Sequence, residues 1–106
     1  VIDNGSTDGS VSQIRTAFPR VELLELSQNL MYAGGNNAGL AWAAQRHLDY
    51  VVFLNNDTTV EPDFLEPLLV AFQAADRVGM TAPLMCYAAQ PDRVWYGGGQ
   101  VNLWTG

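Results

Sequence analysis

Residues 50–59 read Tyr50-Val51-Val52-Phe53-Leu54-Asn55-Asn56-Asp57-Thr58-Thr59. The run from Tyr50 to Leu54 is continuous, apolar and rich in β-branched and aromatic side chains. That is the pattern of a strand buried on both faces. It stops abruptly at Asn55, Asn56 and Asp57, whose side chains can hydrogen-bond or ligate a cation. In open parallel α/β sheets, ligands bind at the carboxyl ends of the strands. A carboxylate flanked by two amides at such an end is placed to hold something rather than to fill a core.

Working outward, the same alternation recurs. Val1-Ile2 reads as the tail of a strand. The turn Asp3-Asn4-Gly5-Ser6-Thr7-Asp8-Gly9 follows, and Thr7 or Asp8 can cap the next helix. Val11, Ile14 and Phe18 recur at helical spacing, and Pro19 ends that helix. Residues 21–26 read as a second strand. A polar loop ends in Gly34 and Gly35, and a helix from Asn36 or Asn37 to Leu48 carries Leu40, Ala41, Ala44 and Leu48 on one stripe. After the strand at 50–54, Pro62 suits the first turn of a further helix, capped by Thr59 or Glu61. Leu65, Leu68, Leu69 and Phe72 give that helix one apolar face. Residues 78–85 are strand-like, with Pro83 marking an edge or a strand end. Val94-Trp95-Tyr96 and residues 101–104 read as two extended segments around a glycine bend. The order β-α-β-α-β-α-β predicts an α/β fold, a three-layer α/β/α sandwich around a mostly parallel sheet, as a single domain over residues 1–106. Right-handed crossovers would set Asp3, Asn29 and Asp57 at one carboxyl edge of that sheet.

Composition narrows the function. The chain has 106 residues, nearly half of them apolar, and a formal net charge of −6 with no lysine. A nucleic-acid surface needs clustered positive charge, so nucleic acid is excluded as a partner. No apolar run approaches the ~18 residues of a membrane span. Cys86 is the single cysteine, which rules out an internal disulfide. The opening at Val1-Ile2 and the close at Trp104-Thr105-Gly106 read as an internal piece of a longer protein.

A nucleoside diphosphate in an acidic crevice poses an electrostatic problem. Asp57 alone would repel a phosphate charge by roughly 3 kcal/mol at ~5 Å and an effective dielectric of ~20. A lysine-bearing phosphate loop is ruled out by the absence of lysine. Mg²⁺ or Mn²⁺ reverses the sign, because these ions are held by one or two carboxylates together with substrate phosphates.

Asp-Asn-Gly-Ser-Thr-Asp-Gly-Ser at 3–10, Asn29 with Gly-Gly-Asn-Asn-Ala-Gly-Leu at 34–40, and Leu-Asn-Asn-Asp-Thr at 54–58 together resemble the GT-A-fold inverting glycosyltransferases of family 2, most closely the rhamnosyltransferase-like branch. The likeness covers essentially the whole chain. It implies a nucleotide-diphospho-sugar transferase that passes a sugar from a UDP- or dTDP-sugar to a saccharide or lipid-linked hydroxyl acceptor, with inversion and metal assistance. Asp3, Asn29, Asn37, Asn55, Asn56 and Asp57 would bind the nucleotide sugar. Asp3 would meet the base or ribose, Asn29 and Asn37 would shape the loop and helix start beside it, and Asp57 would hold Mg²⁺ or Mn²⁺. Residues 97–99 match the family's segment toward the acceptor. Met31 stands where many relatives have glycine, and Asn55 where other branches are acidic. The family's first strand would precede Val1 and its acidic general base would follow Gly106. The resemblance therefore implies an incomplete GT-A domain, a donor-binding part without its own catalytic base and inactive in isolation. It also implies a hexosyltransferase-like role in cell-envelope polysaccharide synthesis in the cytoplasm, with the parent protein peripheral at the inner membrane face as one option. An exposed sheet edge would favour self-association.

Simpler readings stand beside these. The turn at 3–9 serves equally as a helix cap, Asn36-Asn37 as another, and Asp57 as a loop residue bonding its own backbone. His47 reads as structural, Cys86 as a small core or edge residue, and Trp42, Trp95 and Trp104 as core residues with sugar stacking as the alternative. Glu61, Asp63 and Glu66 suit the dipole of a first helical turn. The rival functions are a non-catalytic nucleotide- or sugar-binding module and a dinucleotide oxidoreductase. The latter predicts a G-x-G-x-x-G turn, which the sequence lacks.

Overall fold

The computed structural model describes residues 1–100 together with Asn102 and Trp104. The chain divides into two units, Val1–Asn55 and Asn56–Gly106.

The first unit runs β1 (Ile2–Asp3), α1 (Ser10–Ala17), β2 (Leu24–Glu25), α2 (Met31–Gln45). β1 and β2 pair in parallel, Ile2 opposite Leu24 and Asp3 opposite Glu25. The Leu24 and Leu26 amides donate to the Val1 and Asp3 carbonyls, each at 2.9 Å. A parallel pair needs a crossover, and α1 supplies it. Gly9 caps α1 at φ 86°, a left-handed conformation that suits glycine. Asp8, one of the two expected caps, holds this start from one residue further out, its Oδ1 accepting the Ser10 amide at 3.0 Å. Phe18, before Pro19, leaves the helical region at φ −131° and ψ 64°, as a residue preceding proline does. Arg15 of α1 forms an ion pair with Glu25 of β2. Both side chains are exposed, so the pair orients α1 more than it stabilises it.

The second helix differs from the sequence reading. It begins at Met31 rather than at Asn36 or Asn37, so Gly34 and Gly35 lie inside it. Two glycines each disfavour a helix by about 1 kcal/mol, which made them look like loop. Tertiary contact overrides that preference. A Cβ on Gly35 would stand 3.3 Å from Asn4 Nδ2, and one on Gly39 would stand 2.3 Å from Ile2 Cδ1. The helix crosses β1 at close range, and these glycines are the face that permits it. Its C-terminus closes in a Schellman motif: His47 takes φ 54°, its amide donates to the Ala44 carbonyl at 3.1 Å, and the Leu48 amide reaches the Ala43 carbonyl at 3.4 Å. Ala43 is the buried hydrophobic side chain among the described residues. Arg46 lies over the Trp42 ring at 3.6 Å, a cation–π contact.

Residues 50–54 do not form the expected strand. Tyr50, Val51, Val52 and Phe53 instead border a cavity of about 400 Å³, shared with Ile2 of β1 and Trp42 of α2. Such a volume is far beyond a packing defect or a single water site. Among the described residues this run pairs with neither β1 nor β2.

The second unit contains α3 (Leu65–Gln73), β3 (Met85–Tyr87) and β4 (Gln90–Tyr96). A lead-in turn, with the Phe64 amide donating to the Glu61 carbonyl at 3.2 Å, separates Pro62 from the helix it was expected to open. Pro67 sits in the first helical turn, where its missing donor has no intrahelical partner anyway. Leu68 and Phe72 are half-buried, while Leu65 and Leu69 of the same stripe are exposed. The strand expected over 78–85 reduces to Met85, where β3 begins; Pro83, which cannot donate to a ladder, lies just before it. β3 and β4 form an antiparallel hairpin with irregular register: Tyr87 faces Gln90, Cys86 faces Val94 and Met85 faces Tyr96. Pro91, Asp92 and Arg93 are thus looped out between consecutive pairs, again where proline is tolerated. Cys86 is exposed on β3. The strand pairs of the described residues are one parallel and one antiparallel, so the mostly parallel sheet reaches a single parallel pair. The extended segment expected over 101–104 lies outside the described residues except for Asn102 and Trp104.

Two substitutions test this backbone. Met31 opens α2 at φ 60°, a conformation costing an ordinary residue about 1–2 kcal/mol. Met31→Gly is therefore expected to stabilise the chain by about 0.5–1 kcal/mol after its larger unfolded-state entropy is counted, read as a higher urea midpoint. Gly5 has φ 79°, and a Cβ there would lie 2.7 Å from the Gln28 carbonyl carbon. Gly5→Ala is expected to lower stability by more than about 2 kcal/mol, whereas Gly39→Ala, which meets only the mobile tip of Ile2, costs less in the same assay.

Candidate functional site

The carboxyl end of β1 places Asp3 at the start of a tight turn. The residue is 7% exposed, and its Oδ2 accepts the Ser6 amide at 3.1 Å. Hydrogen bonds from the Ser6 hydroxyl, then from the Ser6 and Gly5 amides, hold its pKa below the ordinary carboxylate value; partial desolvation and the nearby Asp8 act in the opposite sense. Asp3 is thus an anion fixed by its own turn, at a strand end. Asp8 is likewise lowered, by the Ser10 hydroxyl and then the Ser10 amide.

Asn4 joins this turn to the loop after β2. Its Oδ1 accepts the Leu30 amide at 2.9 Å. Its Nδ2 donates to Asn29 Oδ1 at 3.0 Å and to the Met31 carbonyl at 3.1 Å. Asn29 Oδ1 also accepts the Met31 amide at 2.8 Å, serving an orphan donor of the α2 start from just outside the helix. The structure therefore brings the Asp3 turn and Asn29 together, and the residue that does so is Asn4, to which the sequence reading gave no role. The signal was present: of the side chains at 3–5, only an amide both donates and accepts, as a link between two backbones needs.

Asn37 is placed differently from expectation. It is exposed on α2, six residues beyond Met31 and so about 9 Å along the axis from the helix start. The amide donors near the Asn4 link are those of the first turn at Met31, not those beside Asn36 and Asn37. Asn55 closes the first unit and Asn56 and Asp57 open the second; all three are exposed and lie outside helices and strands.

Among the described residues, no group of three or more His, Cys, Asp or Glu side chains gathers as a metal site. The donors around Asp57 are one carboxylate and neighbouring amide oxygens, hard ligands that suit Mg²⁺ or Mn²⁺ when a ligand's phosphates complete the shell. The donor chemistry fits such an ion on that condition. No helix of the described residues is long and apolar enough to cross a membrane.

The two lowered carboxylates carry a pH dependence. A carboxylate whose folded pKa is depressed stabilises the fold above its unfolded value, and loses that contribution as pH falls through the folded one. The urea midpoint is therefore expected to hold above about pH 5 and to fall on acidification below about pH 4. Ser6→Ala, which removes the main cause at Asp3, should make the acid limb shallower.

Residues 1–99 match the family model described as glycosyl transferase family 2. Neither a curated protein nor a solved structure matches the chain. The matched span takes in all three polar clusters, the parallel β1–β2 pair with its α1 crossover, and both flanking helices. Membership implies an α/β nucleotide-sugar transferase fold, with which the β-α-β-α order of the first unit agrees. On this match over nearly its whole length, the chain belongs to glycosyl transferase family 2.

Proposed function

We propose that this chain is the donor-binding part of an inverting, metal-assisted glycosyltransferase of the rhamnosyltransferase-like branch, acting as a single domain over 1–106. Its donor is a UDP- or dTDP-linked hexose, and its acceptor is a saccharide or lipid-linked hydroxyl of a cell-envelope polysaccharide. The observation that carries this reading is the Asn4 link, which holds an ionised Asp3 beside Asn29 at the carboxyl end of a parallel strand pair in a family 2 chain. Ligands of open α/β folds bind at that end.

In this reading Asp3 accepts a hydrogen bond from the base or a ribose hydroxyl of the donor. Asn29, Asn37, Asn55 and Asn56 supply neutral polar contacts around the nucleotide. Asp57, with the adjacent asparagines, would hold Mg²⁺ or Mn²⁺. Bound there, the ion would offset the negative charge that builds on the departing diphosphate. No residue of this chain is assigned as the base that deprotonates the acceptor, and donor binding without turnover is the activity proposed for it. The cavity of about 400 Å³ between β1 and residues 50–53 supports a further strand at that position in the complete domain. The exposed apolar side chains around it (Val52 50% and Phe53 50%) support self-association of the piece alone.

Calorimetric titration of the chain with UDP and with dTDP, with and without Mn²⁺, tests the proposal. Binding is expected to strengthen at least tenfold with Mn²⁺, and Asp57→Ala should abolish that gain while leaving the weaker metal-free binding. A folded chain that binds neither nucleotide with the metal present would overturn it.

A further inference from the structure

The hydrogen bonds around Asn4 settle which way two side-chain amides point. The Leu30 amide can only donate, so the atom it meets on Asn4 is the oxygen. The Met31 carbonyl can only accept, so the atom it meets is the Asn4 nitrogen. That same nitrogen faces Asn29, and the Met31 amide faces the same Asn29 atom from the other side. Two donors converge there, so it is the Asn29 oxygen. Asn29 is exposed, and among the described residues its Nδ2 has no hydrogen-bond partner. Backbone groups at residues 30 and 31 thus dictate, through Asn4, that Asn29 shows an NH₂ group to solvent.

We infer that Asn4 is a positioning residue that holds Asn29 with its NH₂ outward, so that this loop recognises an acceptor oxygen on the ligand. The inference rests on the donor-site reading for the identity of that ligand, a base carbonyl or a phosphate oxygen. It explains why an amide, not a carboxylate, suits the exposed position: beside the anionic Asp3, a further acceptor would repel the oxygens it has to bind. A Cβ on Gly35 would stand 3.3 Å from Asn4 Nδ2, so the glycine leaves this amide the room it occupies.

Side-chain amide exchange followed by NMR on the full chain, in wild type and Asn4→Asp, tests the polarity directly. An aspartate keeps the acceptor for the Leu30 amide and turns a second acceptor toward Asn29 in place of the donor, so if Asn4 rather than the Met31 amide sets the orientation, Asn29 turns its NH₂ inward. In wild type the Asn4 NH₂ protons should exchange several-fold more slowly than those of Asn29; in Asn4→Asp the Asn29 pair should become the slow one. A slow Asn29 pair in wild type would overturn the inference. Titration with uridine, which is uncharged, and with pyrophosphate at high salt, where the added carboxylate is screened, then separates the two sources of the oxygen. A loss of at least tenfold is expected for the one that Asn29 meets. Unchanged affinity for both, with the exchange pattern reversed, would overturn the recognition half. If wild type binds neither probe, the donor-site reading fails, while the exchange pattern still decides the role of Asn4.

Discussion

One side-chain amide ties the first unit together at the end that matters. Asn4 accepts from the Leu30 amide and donates to the Met31 carbonyl, 26 and 27 residues away in sequence. That link adds to the β1–β2 ladder and to the close approach of Gly5 to the Gln28–Asn29 backbone in joining the turn after β1 to the loop after β2. With it, the α2 start is fixed, and the helix lays Gly35 close to Asn4 and Gly39 close to Ile2 of β1, where a Cβ would be crowded. The ionised Asp3 and the exposed Asn29 come together by the same means. Fold and site in this unit depend on a single residue that can donate and accept at once.

The chemistry of the site follows from what the chain lacks. Without lysine, no ammonium is available to meet a diphosphate, and Asp3 and Asp57 add negative charge in its region of sequence. The five arginines all lie outside the three polar clusters in sequence, so within those clusters neutral amide donors and, in the proposed reading, a hard divalent cation are the means of attracting an anion. The clusters at 29–37 and 55–57 are rich in asparagine, and an amide offers N–H donors to oxygens without the repulsion a carboxylate would bring, while its oxygen can still face a metal.

Much of this was legible in the residues. The DNGSTDG turn, the α1 crossover with its stop at Pro19, and the identity of the family all rest on local signals, the turn residues and the spacing of three motifs. The failures share a cause. Gly34 and Gly35 read as loop because propensity is local, while the contact with Asn4 that favours a helix there is not. Residues 50–54 read as a strand because their composition is that of one, but a strand exists only through a neighbour, and this run borders a cleft and pairs with no strand among the described residues. Asn4 escaped notice because turns are full of asparagine, and only its partners at 29, 30 and 31 distinguish it.

Backbone amide chemical-shift mapping of the chain with UDP and Mg²⁺ tests the central claim most directly. A donor site built on the Asn4 link predicts the largest shifts at residues 3–8 and 29–34, saturating together with one dissociation constant. Shifts confined to the β3–β4 hairpin, or scattered without saturation, would contradict it.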